Sequence, residues 1–129
     1  MGAGKGWLVL LACLLVGCGE TDMFAGQYAV TPGGEAQFRI SSDDNLYVLE
    51  KRHDDAWGDR RELDKMVCPP ALVELEQSLE EQRPTLVCLG QQGGLLAALL
   101  HLEKPQGSWQ RTGDYLIIGM PLPLYRVAP

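Results

Sequence analysis

Residues 24–50 read FAGQYAVTPGGEAQFRISSDDNLYVLE, and this stretch decides the expected fold. Apolar and aromatic side chains alternate with polar ones over residues 24–30 and again over residues 38–40, as they do in strands with one buried face. The turn residues 31–34 separate these two runs, and a second turn leads into a third run at Leu46 to Glu50. Because short loops join neighbouring antiparallel strands, we expect a meander of three strands.

The middle of the chain predicts a weakly patterned strand and one helix. Residues Arg60 to Val67 are interpreted as a fourth strand. Proline at residues 69 and 70 is typical of a helix start. Three leucines then recur at helical spacing, and Pro84 stops the segment. The sequence therefore predicts a single amphipathic helix from about Pro70 to Gln82, with Leu72, Leu75 and Leu79 on its apolar face.

The last third of the chain predicts further strands joined by tight turns. Residues 85–89 form one strand, and the glycine-rich residues 90–94 form a hairpin loop. Residues 95–103 fit either a strand, which the hairpin favours, or a helix, which leucine and alanine favour. Residues 115–118 and 122–127 form a closing hairpin. Roughly seven strands and one helix predict an α+β domain built on a small curved antiparallel sheet or barrel-like meander.

The N-terminus has the features of a secretory signal. Lys5 precedes the apolar run Trp7 to Val16, and Leu15-Val16-Gly17-Cys18 closes it. This tetrapeptide resembles the lipobox of bacterial lipoproteins, in which the signal is removed and the cysteine carries the lipid. An apolar run of about ten residues is too short to cross a bilayer, which needs roughly twenty. A signal peptide cut before a residue without lipid, and a buried helix, are the alternatives.

The resemblance implies a cellular location as well as a lipid anchor. Cys18 becomes the lipidated N-terminus after the signal peptide, residues 1–17, is removed. In such lipoproteins an aspartate after the cysteine favours the inner membrane; Gly19 therefore implies the periplasmic face of the outer membrane. Residues 18–23 then form the lipidated N-terminus with a short tether. Residues 24–129 form a single periplasmic domain, since they suffice for one small core.

The charge of the chain is acidic. Its net charge is −6 with neutral histidines. Removal of the signal peptide also removes Lys5, so the mature domain is more negative by one charge. An acidic domain repels phosphate backbones and anionic head groups, so we expect no nucleic-acid partner. The same charge would steer a cationic protein partner toward the domain.

Two of the four cysteines are available to the folded domain. Cys13 leaves with the signal and Cys18 carries the lipid, which leaves Cys68 and Cys88. In an oxidising envelope such a pair predicts a disulfide. Two buried thiols are the alternative, and the pair has neither the C-x-x-C spacing of a redox site nor the spacing of a zinc site.

The sequence contains no motif of a known catalytic site. Ser108 lacks the G-x-S-x-G context of a nucleophile, and no phosphate loop or dinucleotide fingerprint is present. His53 lies near three aspartates, but the order Gly58-Asp59 does not fit an EF-hand, and a solvated turn explains the cluster. We therefore expect no catalytic residue, no metal site and no cofactor.

These features favour a non-catalytic protein-binding module, for example an inhibitor or immunity protein for a basic envelope enzyme. The candidate contact residues are an aromatic side chain beside an acidic turn, namely Trp57, Asp54, Asp55 and Asp59. One alternative is a carrier or sensor of a small apolar ligand in a sheet cavity. Its candidate walls are Leu95, Leu96, Leu99, Leu100 and Ile117. A structural component of an envelope complex is another alternative.

Overall fold

The computed structural model describes residues 22–127, and its strands form one closed antiparallel barrel. The lipobox and the signal peptide lie outside the described residues. A single α-helix, α1, connects the fourth strand to the fifth. The elements are β1 (Gly26–Ala29), β2 (Phe38–Asp43), β3 (Leu46–His53), β4 (Ala56–Met66), α1 (Pro70–Ser78), β5 (Pro84–Gln91), β6 (Gly94–Leu102), β7 (Asp114–Ile118) and β8 (Met120–Val127).

Each strand pairs with the next one in the chain, and β1 pairs with β8 to close the barrel. The closing register joins Gln27 to Val127 and Ala29 to Tyr125. The α+β class and the curved, barrel-like antiparallel sheet are thus confirmed. The strands number eight rather than roughly seven, because the ambiguous segment at residues 95–103 is strand β6.

Strand β6 lacks the usual alternation because both of its faces are buried. Ala97 and Leu99 face the barrel interior, where they contact the inner core. Ala98 and Leu100 face outward and are covered together with the residues that contact α1. A strand that is apolar on both faces reads as a continuous apolar run, which is also the pattern of a buried helix.

The barrel has two separate cores. The inner core fills the barrel and is dominated by tyrosine, phenylalanine and leucine; its buried members are Phe24, Tyr28, Ile40, Tyr47, Leu63, Leu89, Ala97, Leu99, Leu116 and Leu124. The outer core lies between α1 and the outer wall of β5, β6 and β7; its buried members are Leu79, Cys88, Ala98, Leu100, Leu102, Tyr115 and Ile117.

The start of β4 and the end of α1 differ most from the predicted element boundaries. Strand β4 begins at Ala56 instead of Arg60, since a bulge at Asp59 breaks its alternation: Lys51 pairs with Gly58 but Leu49 pairs with Arg61. Helix α1 ends at Ser78, and residues Glu80–Gln82 form a separate 3-10 turn. The apolar spacing of the leucines thus continues to Leu79, one residue past the end of the α-helix.

The first strand is also shorter than predicted. Phe24 is buried but precedes β1, and Val30 follows it with 40% of its surface exposed. The alternation of residues 24–30 therefore arises partly outside the ladder. Phe24 is buried because the segment before β1 folds across the end of the barrel.

Candidate functional site

One end of the barrel, the closed end, is covered by residues 22–25. Phe24 packs edge-on against Tyr47, with ring centroids 6.3 Å apart. The Tyr47 hydroxyl donates to Asp22 Oδ2 at 2.6 Å, and the Tyr28 hydroxyl donates to the Phe24 carbonyl at 2.7 Å. These contacts hold the entering chain over the interior, so large aromatic side chains fill this half of the barrel.

A buried carboxylate lies in the same half. Asp114 accepts a hydrogen bond from Arg126 Nε at 3.0 Å, and its Oδ1 lies 2.9 Å from His101 Nδ1. The Arg126 guanidinium also lies over the Tyr28 ring, 5.1 Å from its centroid, and donates to the Met23 carbonyl. Because its oxygens are paired within the barrel, we interpret this cluster as part of the scaffold.

The opposite end, the open end, contains a cavity. It is formed where the hairpins β3–β4, β5–β6 and β7–β8 turn, and its volume is about 340 Å³. That volume lies within the range of about 300–1,000 Å³ typical of small-molecule sites. We call this space the mouth cavity; its apolar walls are Phe38, Leu49, Leu63, Leu96, Ala97, Leu116 and Ile118, and its charged residues are Lys51, Asp59 and Arg61.

Local sequence explains why the interior stays open at this end. Ala97 is the β6 residue that faces inward here, and its small side chain leaves space. Two bulges flank the cavity. One is at Asp59 on β4, whose φ is 51°, and the other is at Leu96 on β6, since Leu89 pairs with Ala97 while Gly90 pairs with Leu95. Bulges bend strands and are frequent at the rims of barrels.

The rim of the mouth cavity has an excess of positive charge. Within residues 22–127, neither Lys51 nor Arg61 forms a salt bridge. Asp59 does, because its Oδ2 lies 2.9 Å from His53 Nε2. That hydrogen bond is the main cause that holds the pKa of Asp59 below its ordinary value, and the charges of His53, Lys51 and Arg61 contribute in the same direction. Two cations that form no salt bridge and one carboxylate therefore line the cavity, which leaves one net positive charge.

Exposed apolar side chains concentrate at the open end. Among the described residues, seven large apolar side chains are exposed, and four of them lie on the β5–β6 and β7–β8 hairpins. Ile118 and Met120 expose 60% and 72% of their surface. Apolar surface that gathers around an opening is typical of a binding site. The four are Leu95, Leu96, Ile118 and Met120.

The predicted partner-binding residues all lie on the β3–β4 hairpin, where they have different surroundings. Trp57 is half-buried, with the Arg39 guanidinium 4.7 Å from its ring centroid, and Arg39 in turn pairs with Glu50 at 2.8 Å. Asp54 and Asp55 are exposed in the turn between β3 and β4. Of the four candidates, Asp59 alone lines the mouth cavity.

The predicted cavity walls are also divided among different places. Leu96 lines the mouth cavity, and Leu99 belongs to the inner core. Leu100 and Ile117 face the outer core, so they are not cavity walls. Leu95 is exposed and does not line the cavity. Consecutive strand residues point to opposite faces, so the leucine run could not form one wall.

Sequence reasoning missed most of the mouth cavity. Lys51 and Arg61 each lie two positions from an inward-facing leucine, Leu49 and Leu63. A cation at that spacing interrupts the apolar face of a strand, and this interruption is the feature of the sequence that could have indicated the cavity. It becomes informative once the faces of β3 and β4 are known.

Cys68 and Cys88 lie at disulfide distance, in agreement with the predicted pairing. Their sulfur atoms are 2.10 Å apart and their Cα atoms are 5.3 Å apart. Cys68 lies two residues before α1, and Cys88 lies on β5 beside the outer core. The bond therefore ties the start of the helix to the barrel wall.

Other kinds of site are not found in the described residues. Residues 22–127 contain no group of three or more His, Cys, Asp or Glu side chains arranged to hold a metal ion. No helix in this part of the chain is long and apolar enough to span a membrane. Comparison of the chain with protein-family models, curated proteins and solved structures finds no match.

Proposed function

We propose that this protein is a lipoprotein of the periplasmic face of the outer membrane, and that it is a non-catalytic carrier or sensor of a small apolar ligand. The mouth cavity is the observation that carries the proposal. It is an apolar space of about 340 Å³ in a barrel whose other half is filled by its own aromatic side chains. An eight-stranded barrel is wide enough either to be filled by side chains or to hold one small ligand.

The position of the anchor supports this proposal. Asp22, at the closed end, follows the proposed lipidated residue Cys18 by four positions. An extended chain spans at most about 3.6 Å per residue, so the closed end stays near the membrane. The mouth cavity is at the opposite end of the barrel and faces the periplasm, where a ligand can enter it.

The anchor is tested by metabolic labelling. Cells that express the full chain are given an alkyne-bearing palmitate, and the protein is then examined for label and for its membrane fraction. We expect label and outer-membrane recovery for the natural chain and neither for Cys18→Ser. Label that persists in Cys18→Ser would contradict the assigned lipidation site.

The cavity is tested by photolabelling of the lipidated full chain in phosphatidylcholine vesicles. A decan-1-ol that carries a diazirine at its tail serves as the probe, and labelled peptides are identified by mass spectrometry. We expect label on the peptides that contain Ala97 and Leu116. Ala97→Phe, which fills the cavity, should lower this labelling by about tenfold.

Two further variants make that result interpretable. Val67→Phe adds the same kind of bulk at a side chain that is 88% exposed outside the cavity, and it should label like the natural chain. Ile118→Trp narrows the rim at an exposed position, so it tests the cavity even where Ala97→Phe destabilises the fold. Labelling that is spread over the surface, or is unchanged in both blocking variants, would overturn the proposal.

A protein-binding role for a basic partner is the second candidate. It is favoured by the segment from α1 through the 3-10 turn, in which every charged side chain is acidic: Glu74, Glu76, Glu80 and Glu81. The turn with Trp57 is less suitable, since Lys51, Arg52, Arg60 and Arg61 lie near its aspartates in the chain.

Crosslinking in envelope membranes at low and high salt tests this candidate. A partner lost from a Glu74→Gln/Glu76→Gln variant would support it, and a salt-independent partner would favour a structural role.

A further inference from the structure

We propose that the ligand of the mouth cavity is a single-chain amphiphile with an anionic head group, a carboxylate or a phosphate, which Lys51 and Arg61 bind at the rim. This inference rests on the proposed function and specifies its ligand. The apolar chain would occupy the space between Phe38, Leu63 and Leu116, and the head group would remain at the opening.

The strand register brings the two cations together. Leu49 pairs with Arg61 across β3 and β4, and Lys51 lies two residues beyond Leu49 on the same face. Both side chains therefore line the cavity from adjacent strands, as diagonal neighbours. Two like charges on adjacent strands do not attract each other, so their mutual interaction does not stabilise the sheet.

The nearby carboxylate, Asp59, offsets the charge of this pair only in part, since one negative charge faces two positive ones. The extra residue of the β4 bulge is Asp59, and its side chain is hydrogen-bonded to His53 at 2.9 Å. Lys51 and Arg61 are thus left without a carboxylate within salt-bridge distance among the described residues. An anionic head group supplies the charge that these two side chains lack. Arginine in particular binds carboxylates and phosphates with two parallel hydrogen bonds.

The lining of the cavity also determines which kind of tail the ligand can have. Apart from Lys51, Asp59 and Arg61, every lining residue is apolar. A polar group placed deep in this space would lose its hydrogen bonds to water, so an alkyl chain is the suitable occupant. The volume of about 340 Å³ is near the lower limit for small-molecule sites, which favours one chain over the two of a phospholipid.

The inference is tested with photoreactive probes that share one tail and differ in the head group. Lipidated full chain in phosphatidylcholine vesicles is exposed to decanoate, decyl sulfonate, decan-1-ol and decylamine, each with a diazirine at the tail. We expect both anions to label the mouth peptides about tenfold more than the alcohol at equal membrane concentration. The amine should label them less than the alcohol.

Charge-removing variants assign the effect to named residues. Lys51→Gln and Arg61→Gln should each remove most of the anion preference while labelling by the alcohol is retained. Lys104→Gln, a change at an exposed lysine in the loop after β6, should preserve the preference. Competition by unlabelled decanoate or by lysophosphatidylglycerol then distinguishes a free fatty acid from a lysolipid as the source of the anion.

The possible results separate the two proposals. Equal labelling of the mouth by all four probes would overturn the anionic head group but leave an apolar ligand site. An anion preference that persists in the Lys51→Gln/Arg61→Gln double variant would also overturn it. Absence of mouth labelling by every probe would overturn the ligand site itself.

Discussion

At the scale of single residues, Asp114 shows how the closed end tolerates a buried charge. Only 7% of its surface is exposed, and its carboxylate contacts both Arg126 and His101. These two partners come from neighbouring strands, β8 and β6, so one carboxylate connects three strands of the barrel. A buried charge that loses its partner is costly, which makes this contact sensitive to substitution.

We predict that Asp114→Asn lowers the free energy of unfolding by about 1–3 kcal/mol, because the hydrogen bonds lose their charge. Urea unfolding followed by circular dichroism measures the change. Asp55→Asn, at an exposed turn position, is the matched control and should change stability by no more than about 0.5 kcal/mol. Equal effects of the two substitutions would show that the Asp114 contacts do not stabilise the barrel.

The inner tyrosines predict a loss of stability in alkali. Burial raises the pKa of Tyr28 to about 12, and burial together with the hydrogen bond to Asp22 raises the pKa of Tyr47. In the unfolded chain a tyrosine titrates near pH 10. The folded state therefore favours the protonated hydroxyls. The stability they contribute is complete below about pH 10 and falls as the pH rises above 10, with the Tyr28 part lost by about pH 12.

A series of urea unfolding curves across this pH range tests that prediction. We expect the unfolding midpoint to fall above pH 10, with tyrosinate absorbance rising together with unfolding. In Tyr28→Phe the fall should be shallower, since one of the two groups no longer titrates. An unchanged slope in that variant would assign the alkaline loss to other groups.

At the scale of elements, α1 depends on the barrel for its stability. It has nine residues, and isolated helices shorter than about 12–15 residues are marginal in water. Leu72 and Leu75 are partly buried against the outer core, and Leu79 beyond the helix end is buried there. The Cys68–Cys88 pair holds the chain just before α1 against β5.

We predict that reduction of the Cys68–Cys88 bond lowers the free energy of unfolding by about 3 kcal/mol, the value expected for a closed loop of 20 residues. Thermal unfolding with and without a phosphine reductant measures the change. A Cys68→Ala/Cys88→Ala double variant should already unfold at the lower temperature and should not respond to the reductant. A reductant response of that variant would show that the effect does not come from this bond.

Prediction of the elements from sequence succeeded where one face of an element is exposed. Strand β2 and helix α1 each have an apolar face and a polar face, and the corresponding periodicities predicted them. Strand β3 was predicted from the turn before it, since Tyr47 and Val48 on its two faces are both buried. Strand β6 has two buried faces, so its sequence could not distinguish strand from helix. The start of β4 was missed because the bulge at Asp59 shifts the alternation by one residue.

At the scale of the whole molecule, the barrel has a weak seam, the pairing of β1 with β8 that closes it. Strand β1 has four residues, and its pairing with β8 includes three residue pairs. The rest of β8, which contains Pro121 and Pro123, pairs only with β7. A side-chain contact across the seam, between the Arg126 guanidinium and the Tyr28 ring, reinforces it.

We predict that the amides of β1 and β8 exchange with solvent deuterium faster than those of β5 and β6. Short ladders open at lower free energy than long ones, and β5 pairs with β6 over eight residue pairs. Hydrogen exchange followed by mass spectrometry of the full chain measures this order. Fastest exchange in β5 and β6 would contradict it.

The sequence by itself determined the features that depend on neighbours in the chain. The alternation of β2, the leucine spacing of α1 and the pairing of Cys68 with Cys88 were all predicted from it. The first two follow from local periodicity, and the third follows from the number of cysteines.

Tertiary structure alone decided the closure of the barrel and the mouth cavity. Closure pairs Ala29 with Tyr125, and the cavity joins Lys51 and Arg61 to Leu96 and Leu116 from distant strands. Such contacts depend on register and on which face each strand turns inward. A shift of one residue in register moves every side chain to the other face, and the two bulges that set the register are not marked by any local apolar pattern.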